Sequence, residues 1–269
     1  MAEVKYPTLH EIIEAHSQRH GYERYLLLNR FLFRPAGFFA TWISIRAGLT
    51  SEAASWISGF VALSGFVCLM GASLRLLEAG IGLLLLFNLF DCIDGDIARS
   101  MKTQNPYGWF LDSLMGWADM GFWGVVGIMA YRHPNLLIWP DLLNKGAILW
   151  LAVGGLSSFL SIYAAYVENV FDVLLREPWN KLAVNTQASA DKSGAAGGGN
   201  YSLSVNTGRI IVHNLRVRET HYILLVIAFV VKSIDIYLLF YFFYYFLHAV
   251  FLMTVYCNRG LKVKKSLMK

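Results

Sequence analysis

Six ionisable residues, Asp91, Asp94, Asp96, Arg99, Asp112 and Asp119, fall within or beside apolar runs of a 269-residue chain, in the stretch DCIDGDIARSMKTQNPYGWFLDSLMGWAD. Each such group costs about 2.5–3.5 kcal/mol in a membrane helix even on the lenient insertion scale, so intramembrane carboxylates mark a functional site by default. With about 3.6 residues per turn, Asp91, Asp94, Gly95 and Ala98 share one helical face, Asp96 falls opposite and Arg99 lies on the flank. Two carboxylates three residues apart, beside small residues, suit a hard divalent cation and a bulky phosphate-bearing ligand. Gly95 and Ala98 would let that ligand approach the backbone. Pro106 is well placed to open the next helix, on which Gly108, Asp112 and Asp119 share a face. The polar connection between them is short, so the two helices should be antiparallel neighbours whose acidic faces meet. The bland alternative pairs these carboxylates with Arg99 and Lys102. Three facing carboxylates would still leave excess negative charge, which a metal would balance.

The elements that position these groups follow from composition. Hydrophobic residues make up 56% of the chain, charged residues only 15% and aromatics 15%. Soluble domains carry roughly 25% charge, so the balance excludes a disordered chain, an ordinary soluble enzyme and a disulfide scaffold. Cys68, Cys92 and Cys257 are odd in number and far apart, with neither disulfide nor zinc spacing. The expectation is an all-α polytopic membrane protein. Uncharged runs from Ala53 to Leu74 and from Gly146 to Val167 each have 22 residues, against the roughly 20 needed to cross a bilayer. Ala79 to Phe90 spans only if continued through the acidic segment, and Tyr107 to Tyr131 is interrupted by carboxylates. A short fifth helix before Lys232 and a sixth from Ile236 to Asn258 give six transmembrane helices as the most economical count.

Lys and Arg in alternate connections total 19 on one side and four on the other. The positive-inside rule then puts both termini in the cytoplasm. It also accounts for the net charge of +5, so no nucleic acid need be invoked. The N-terminus has no early apolar core, so no cleavable signal is expected. Residues 1–50 read as a cytoplasmic N-terminal and amphipathic interfacial segment. Within it, Tyr25 to Ala47 mixes aromatics with Arg30, Arg34 and Arg46 around a helix-breaking Pro35; a seventh span is the alternative. Residues 51–258 form the transmembrane catalytic-type domain, with 185–208 as a Gly-rich flexible cytoplasmic loop, and 259–269 a basic tail. His213, His221 and His248 read as packing or interfacial residues. Arg209, Arg216 and Arg218 read either as positive-inside flanks or as holders of an acceptor's phosphate. The aromatic run Tyr237 to Phe246 reads as a lipid-facing or dimer-packing stripe.

The spacing D-x2-D-G-x2-A-R-x8-G-x3-D, met by Asp91, Asp94, Gly95, Ala98, Arg99, Gly108 and Asp112, resembles the signature of the CDP-alcohol phosphotransferases. The resemblance implies a membrane enzyme that moves a substituted phosphate from a CDP-linked donor to a lipid or phosphorylated acceptor and releases CMP. It implies Mg²⁺ or Mn²⁺ held by Asp91, Asp94 and Asp112, a nucleotide diphosphate lined by Gly95, Ala98 and Gly108, and Arg99 to neutralise it. It also implies a homodimer among membrane lipids with a cytoplasmic site, in a bacterial inner membrane or a eukaryotic endomembrane.

The family pattern continues to a further Asp, taken as the general base, where this chain has Gly116. Where relatives often carry a Pro-Asn pair at the first span, this chain has Ser51 and Glu52. Three readings stay open. Asp119 replaces the base; the acceptor is a phosphate that is already ionised; or the protein is an inactive paralogue that binds a nucleotide-linked ligand or acts as a scaffold. A cation or proton carrier would place its carboxylates near the bilayer midplane, whereas Arg99 and the basic short connection put these near the cytoplasmic face.

Overall fold

Two hydroxyl caps start the helices that carry the site. Thr50 Oγ1 accepts from Ala53 N at 3.2 Å and Ser73 Oγ from Leu76 N at 3.3 Å, satisfying amides that a helix start leaves unpaired. In the computed structural model, which describes residues 6–17, 25–144, 146–191 and 207–268, every regular element is a helix. α1 is Leu9–Ser17. A π-turn, Asn29–Phe33, leads into α2, Arg34–Arg46. Pro35 sits in the first turn of α2, directly after the π-turn. There follow α3, Ser51–Leu69, and α4, Leu74–Ser100. Next come α5, Pro106–Trp117, and α6, Phe122–Arg132, joined by a 3₁₀ turn at Ala118–Gly121. The remaining helices are α7, Ile148–Leu174; α8, Arg176–Asp191; α9, Thr207–Arg216; α10, Arg218–Val231; and α11, Ile234–Leu267.

By length and composition, α3, α4, α7 and α11 can each cross a membrane. Phe60, Phe159, Phe243 and Phe251 on them lie exposed, as apolar faces toward lipid would. The expected third span is instead α5 and α6 with the 3₁₀ turn between, and the expected fifth is the 14-residue α10. Of segment 185–208, residues up to Asp191 continue α8 and Thr207 opens α9; 192–206 lie outside the described residues.

α3 and α4 pack antiparallel along their lengths. α6 crosses α7 so closely that a side-chain carbon added to Gly154 would lie 2.6 Å from Gly127 Cα. Small residues permit such contact between membrane helices, where dispersion rather than water exclusion drives association. The core between these layers is aromatic. Trp123 lies 4.3 Å from Tyr241 and 5.4 Å from Tyr237, centroid to centroid. The tyrosine run of α11 is therefore two-faced: Tyr237, Tyr241 and Tyr245 point inward, while Phe240, Phe243 and Phe246 stay exposed. Only the second set matches the lipid-facing or dimer-packing stripe expected from sequence.

Candidate active site

Asp96 falls opposite Asp94, Gly95 and Ala98, as helical geometry predicts, but Asp91 does not share their cavity. On α4, Asp94, Gly95 and Ala98 face a narrow slot of about 60 Å³ whose other wall includes Asn105, Gly108 and Asp112. One turn earlier Asp91 faces a second, larger cavity of about 470 Å³, together with Asp112, Gly116, Asp119, Arg216 and Arg218. Asp112 borders both. Asp96, on the opposite face, is 1% exposed.

The turn into α5 is built by Asn105. Its Oδ1 accepts from Gly108 N at 2.8 Å, and its Nδ2 donates to Glu52 Oε1 at 3.1 Å. Pro106 fills the first turn, where no amide is required. The capped turn holds Gly108 and Asp112 against the end of α4, and Glu52 ties the start of α3 to the same corner. Ser55, one turn further along α3, donates its hydroxyl to Asp94 Oδ2 at 2.6 Å. Ser55 and Asn105 were not singled out from the sequence, and Glu52 only as a departure from the family pattern. The signal was there in the polar Ser-Glu-x-x-Ser start of an otherwise apolar helix.

Asp96 receives two guanidinium groups and an imidazole. Arg99 Nη2 lies at 2.5 Å, His16 Nδ1 at 3.3 Å and Arg34 Nη1 at 3.6 Å from its Oδ1. Arg99 thus sits between the slot it borders and a buried network that docks α1 and α2 onto α4. A side-chain carbon at Gly95 would lie 3.0 Å from the Arg99 guanidinium, so the glycine leaves the arginine its place.

Asp91 carries its own cation. Arg218 Nη2, at the start of α10, donates to Asp91 Oδ2 at 2.6 Å, and the guanidinium rests 4.7 Å from the Phe87 ring centroid. Asp119 lies on the 3₁₀ turn rather than on a continuous helix, and accepts from Tyr222 Oη at 2.5 Å. It nonetheless faces the same cavity as Asp91, Asp112 and Gly116. A carbon added at Gly116 would meet nothing within 4 Å. Arg216 makes a bidentate pair with Glu168 of α7. His213, on α9, is partly buried beside the Arg216 guanidinium, and both effects hold its imidazole below the usual range. His221 is 4% exposed, among Phe122, Trp123 and Tyr241, with Nε2 at 3.0 Å from Leu215 O. It packs as expected, but it also borders the large cavity.

Among the described residues, no three carboxylate, imidazole or thiol groups converge closely enough to enclose a metal ion. Two features still suit a hard cation. Asp94 is buried, 4% exposed, and among the described residues has a hydroxyl partner but no ion-pair partner. A buried carboxylate without a counter-charge is costly, and Asp112 puts a second carboxylate on the same slot, an oxygen group of the kind a hard cation takes. Asp91 differs from Asp94, because Arg218 already offsets it.

A family model described as CDP-alcohol phosphatidyltransferase matches residues 51–190. The match begins at the first residue of α3 and takes in both acidic helices. No curated protein sequence matches the chain. The family's activity is phosphotransfer from a CDP-alcohol, generally with a divalent metal. With the match covering more than half its length, and the motif residues lining two adjoining cavities, this chain belongs to the CDP-alcohol phosphatidyltransferase family.

Proposed function

We propose that the protein is an integral membrane transferase that moves a substituted phosphate from a CDP-linked donor to a lipid or phosphorylated acceptor, with release of CMP. Asp112, bordering both cavities at once, carries the reading. Two substrates that exchange a phosphate must meet at one point, and this carboxylate stands where the two spaces adjoin. The slot is too small for a whole nucleotide, since ligand pockets run to roughly 300 Å³ or more. We assign it to the donor's phosphates, lined by Gly95, Ala98 and Gly108, with Arg99 at its edge. The larger cavity is the acceptor's side.

The acceptor oxygen forms a bond to the donor phosphorus. The bond from that phosphorus to the oxygen of CMP breaks, and CMP leaves with the electron pair. A hydroxyl acceptor also loses its proton, for which we assign Asp119 as base. Tyr222 holds one of its oxygens, which orients the other for proton transfer. A phosphate acceptor needs no base, being ionised already. Asp91, Asp94 and Asp112 are the proposed ligands of Mg²⁺ or Mn²⁺, which when bound would offset the negative charge of the phosphates.

Six membrane crossings, with both termini and the site cytoplasmic, remain our reading of the charge distribution, and a homodimer our reading of the family resemblance. Gly116 favours a second reading, an inactive family member that binds a nucleotide-linked ligand or acts as a scaffold. Incubating the purified protein with CDP-linked donors, candidate acceptors and Mg²⁺ or Mn²⁺ separates the two. CMP release supports transfer. CDP binding without CMP release in any combination supports the binding reading, and neither binding nor release overturns both.

A further inference from the structure

Residues that border the large cavity carry nitrogen atoms without a partner. Arg218 Nη1, His221 Nδ1 and His248 Nε2 are shielded from solvent and have no hydrogen-bond partner, and all three residues border this one cavity. Buried polar atoms are nearly always paired, and each exception calls for a reason. Arg218 is the informative one. Asp91 engages its Nη2 and Phe87 supports its plane, so the guanidinium is fixed in place while one amino group keeps unspent donor capacity. Planar guanidinium groups match phosphoryl oxygens in geometry and charge.

Gly116, which lines the same cavity, agrees. Where the family signature would put a carboxylate, Gly116 puts open space, with nothing within 4 Å of an added carbon. One carboxylate fewer, in a cavity bordered by a fixed guanidinium, makes it more favourable to an anion than the family pattern alone would.

Resting on the phosphotransfer reading, we propose that Arg218, which borders the large cavity and is held by Asp91, is a substrate-contacting residue whose guanidinium donates to a phosphoryl oxygen there. The oxygen belongs either to a phosphate on the acceptor or to the donor's diphosphate. Its position among the residues of the larger cavity, away from Gly95 and Gly108, favours the acceptor.

The test is calorimetric titration of the full-length protein in detergent with inorganic phosphate and, separately, with CDP. Wild type is compared with Arg218→Gln and Arg218→Lys. Losing a charge-assisted bond should weaken binding roughly tenfold or more in Arg218→Gln. Arg218→Lys keeps the charge beside Asp91 and so protects the fold; losing the planar fork should weaken binding roughly threefold. Loss confined to phosphate assigns the contact to the acceptor. Loss for CDP, with or without phosphate, assigns it to the donor; either supports the proposal. Wild-type affinity for both probes in a folded Arg218→Gln overturns it and leaves the phosphotransfer reading standing. Should Arg218→Gln not fold, wild-type affinity for both in Arg218→Lys overturns it equally. A wild type that binds neither probe removes the phosphotransfer reading and this inference together.

Discussion

Arg99 donates to Asp96 across one turn of α4, Nη2 to Oδ1 at 2.5 Å, and the pair joins the slot to the N-terminal segment. The arginine borders the slot on one side. On the other, Asp96 is shared with His16 of α1 and Arg34 of α2. A short helix before the membrane domain thereby helps to hold a motif side chain.

Asp96→Asn should therefore destabilise the protein. It leaves buried guanidinium groups facing a neutral amide, and removing one partner from a buried ion pair costs about 3–5 kcal/mol. Thermal unfolding in detergent measures this, and cleavage within α1 by added protease should quicken as that helix undocks. An unchanged melting temperature would mean that the network carries no stability.

The crossing of α6 and α7 gives a sharper steric test. Gly154→Ala puts a carbon 2.6 Å from backbone atoms of α6, whereas a carbon at the neighbouring Gly155 meets nothing within 4 Å. Overpacking of this kind costs about 1–3 kcal/mol. Gly154→Ala should lower the melting temperature and Gly155→Ala should leave it unchanged. Equal behaviour of the two would contradict the packing described.

The all-helical class, the long apolar spans and the facing acidic helices were legible in the sequence, because apolar run length and three- and four-residue spacings report on single helices. Partners far apart along the chain were not. Nothing in the motif names Arg218, 127 residues from Asp91, or Tyr222 as the donor to Asp119, and neither residue differs in type from an ordinary flank or core residue. The broken third span escaped for a different reason. Its carboxylates Asp112 and Asp119 were legible, but nothing in its composition marks the 3₁₀ turn at Ala118–Gly121 that divides it.

The number of crossings can be read from two engineered cysteines in a background lacking Cys68, Cys92 and Cys257. Asn135 follows α6, and Lys264 lies near the end of α11. If α5–α6 and α10 both cross, as the six-span reading requires, the two positions lie on opposite sides and an impermeant thiol reagent labels only Asn135→Cys in intact cells. If only the four long helices cross, the two positions lie on the same side. Matching labelling would therefore remove the six-span reading.

The carboxylates differ in what surrounds them, so they should differ toward a metal. Asp94 and Asp112 face each other across the slot, while Asp91 is paired with Arg218. Asp94→Asn or Asp112→Asn should abolish Mn²⁺ binding measured by paramagnetic resonance, with the protein still inserted. Asp91→Asn should weaken it less, because the arginine already offsets that charge. Full Mn²⁺ affinity in both Asp94→Asn and Asp112→Asn would count decisively against the proposed ligands.

The missing carboxylate at position 116 leaves Asp119 as the candidate base. It faces the same cavity and is oriented by Tyr222 at 2.5 Å. If it accepts the proton of a hydroxyl acceptor, Asp119→Asn should lower turnover by roughly 10² to 10⁴, the usual contribution of a positioned base. Mn²⁺ affinity should hold, because Asp91, Asp94 and Asp112 remain. Tyr222→Phe should act in the same direction but more weakly, since it frees the carboxylate to rotate without removing it. With a phosphate acceptor, Asp119→Asn should cost far less, and turnover should follow the ionisation of the acceptor. Gly116→Asp has room at its first carbon, so it should fold, restore the family pattern and raise transfer to a simple alcohol that the cavity admits. CMP release by the four proteins across a range of pH distinguishes these cases. Full wild-type turnover of Asp119→Asn with an uncharged alcohol would sink the assignment of Asp119 as the base.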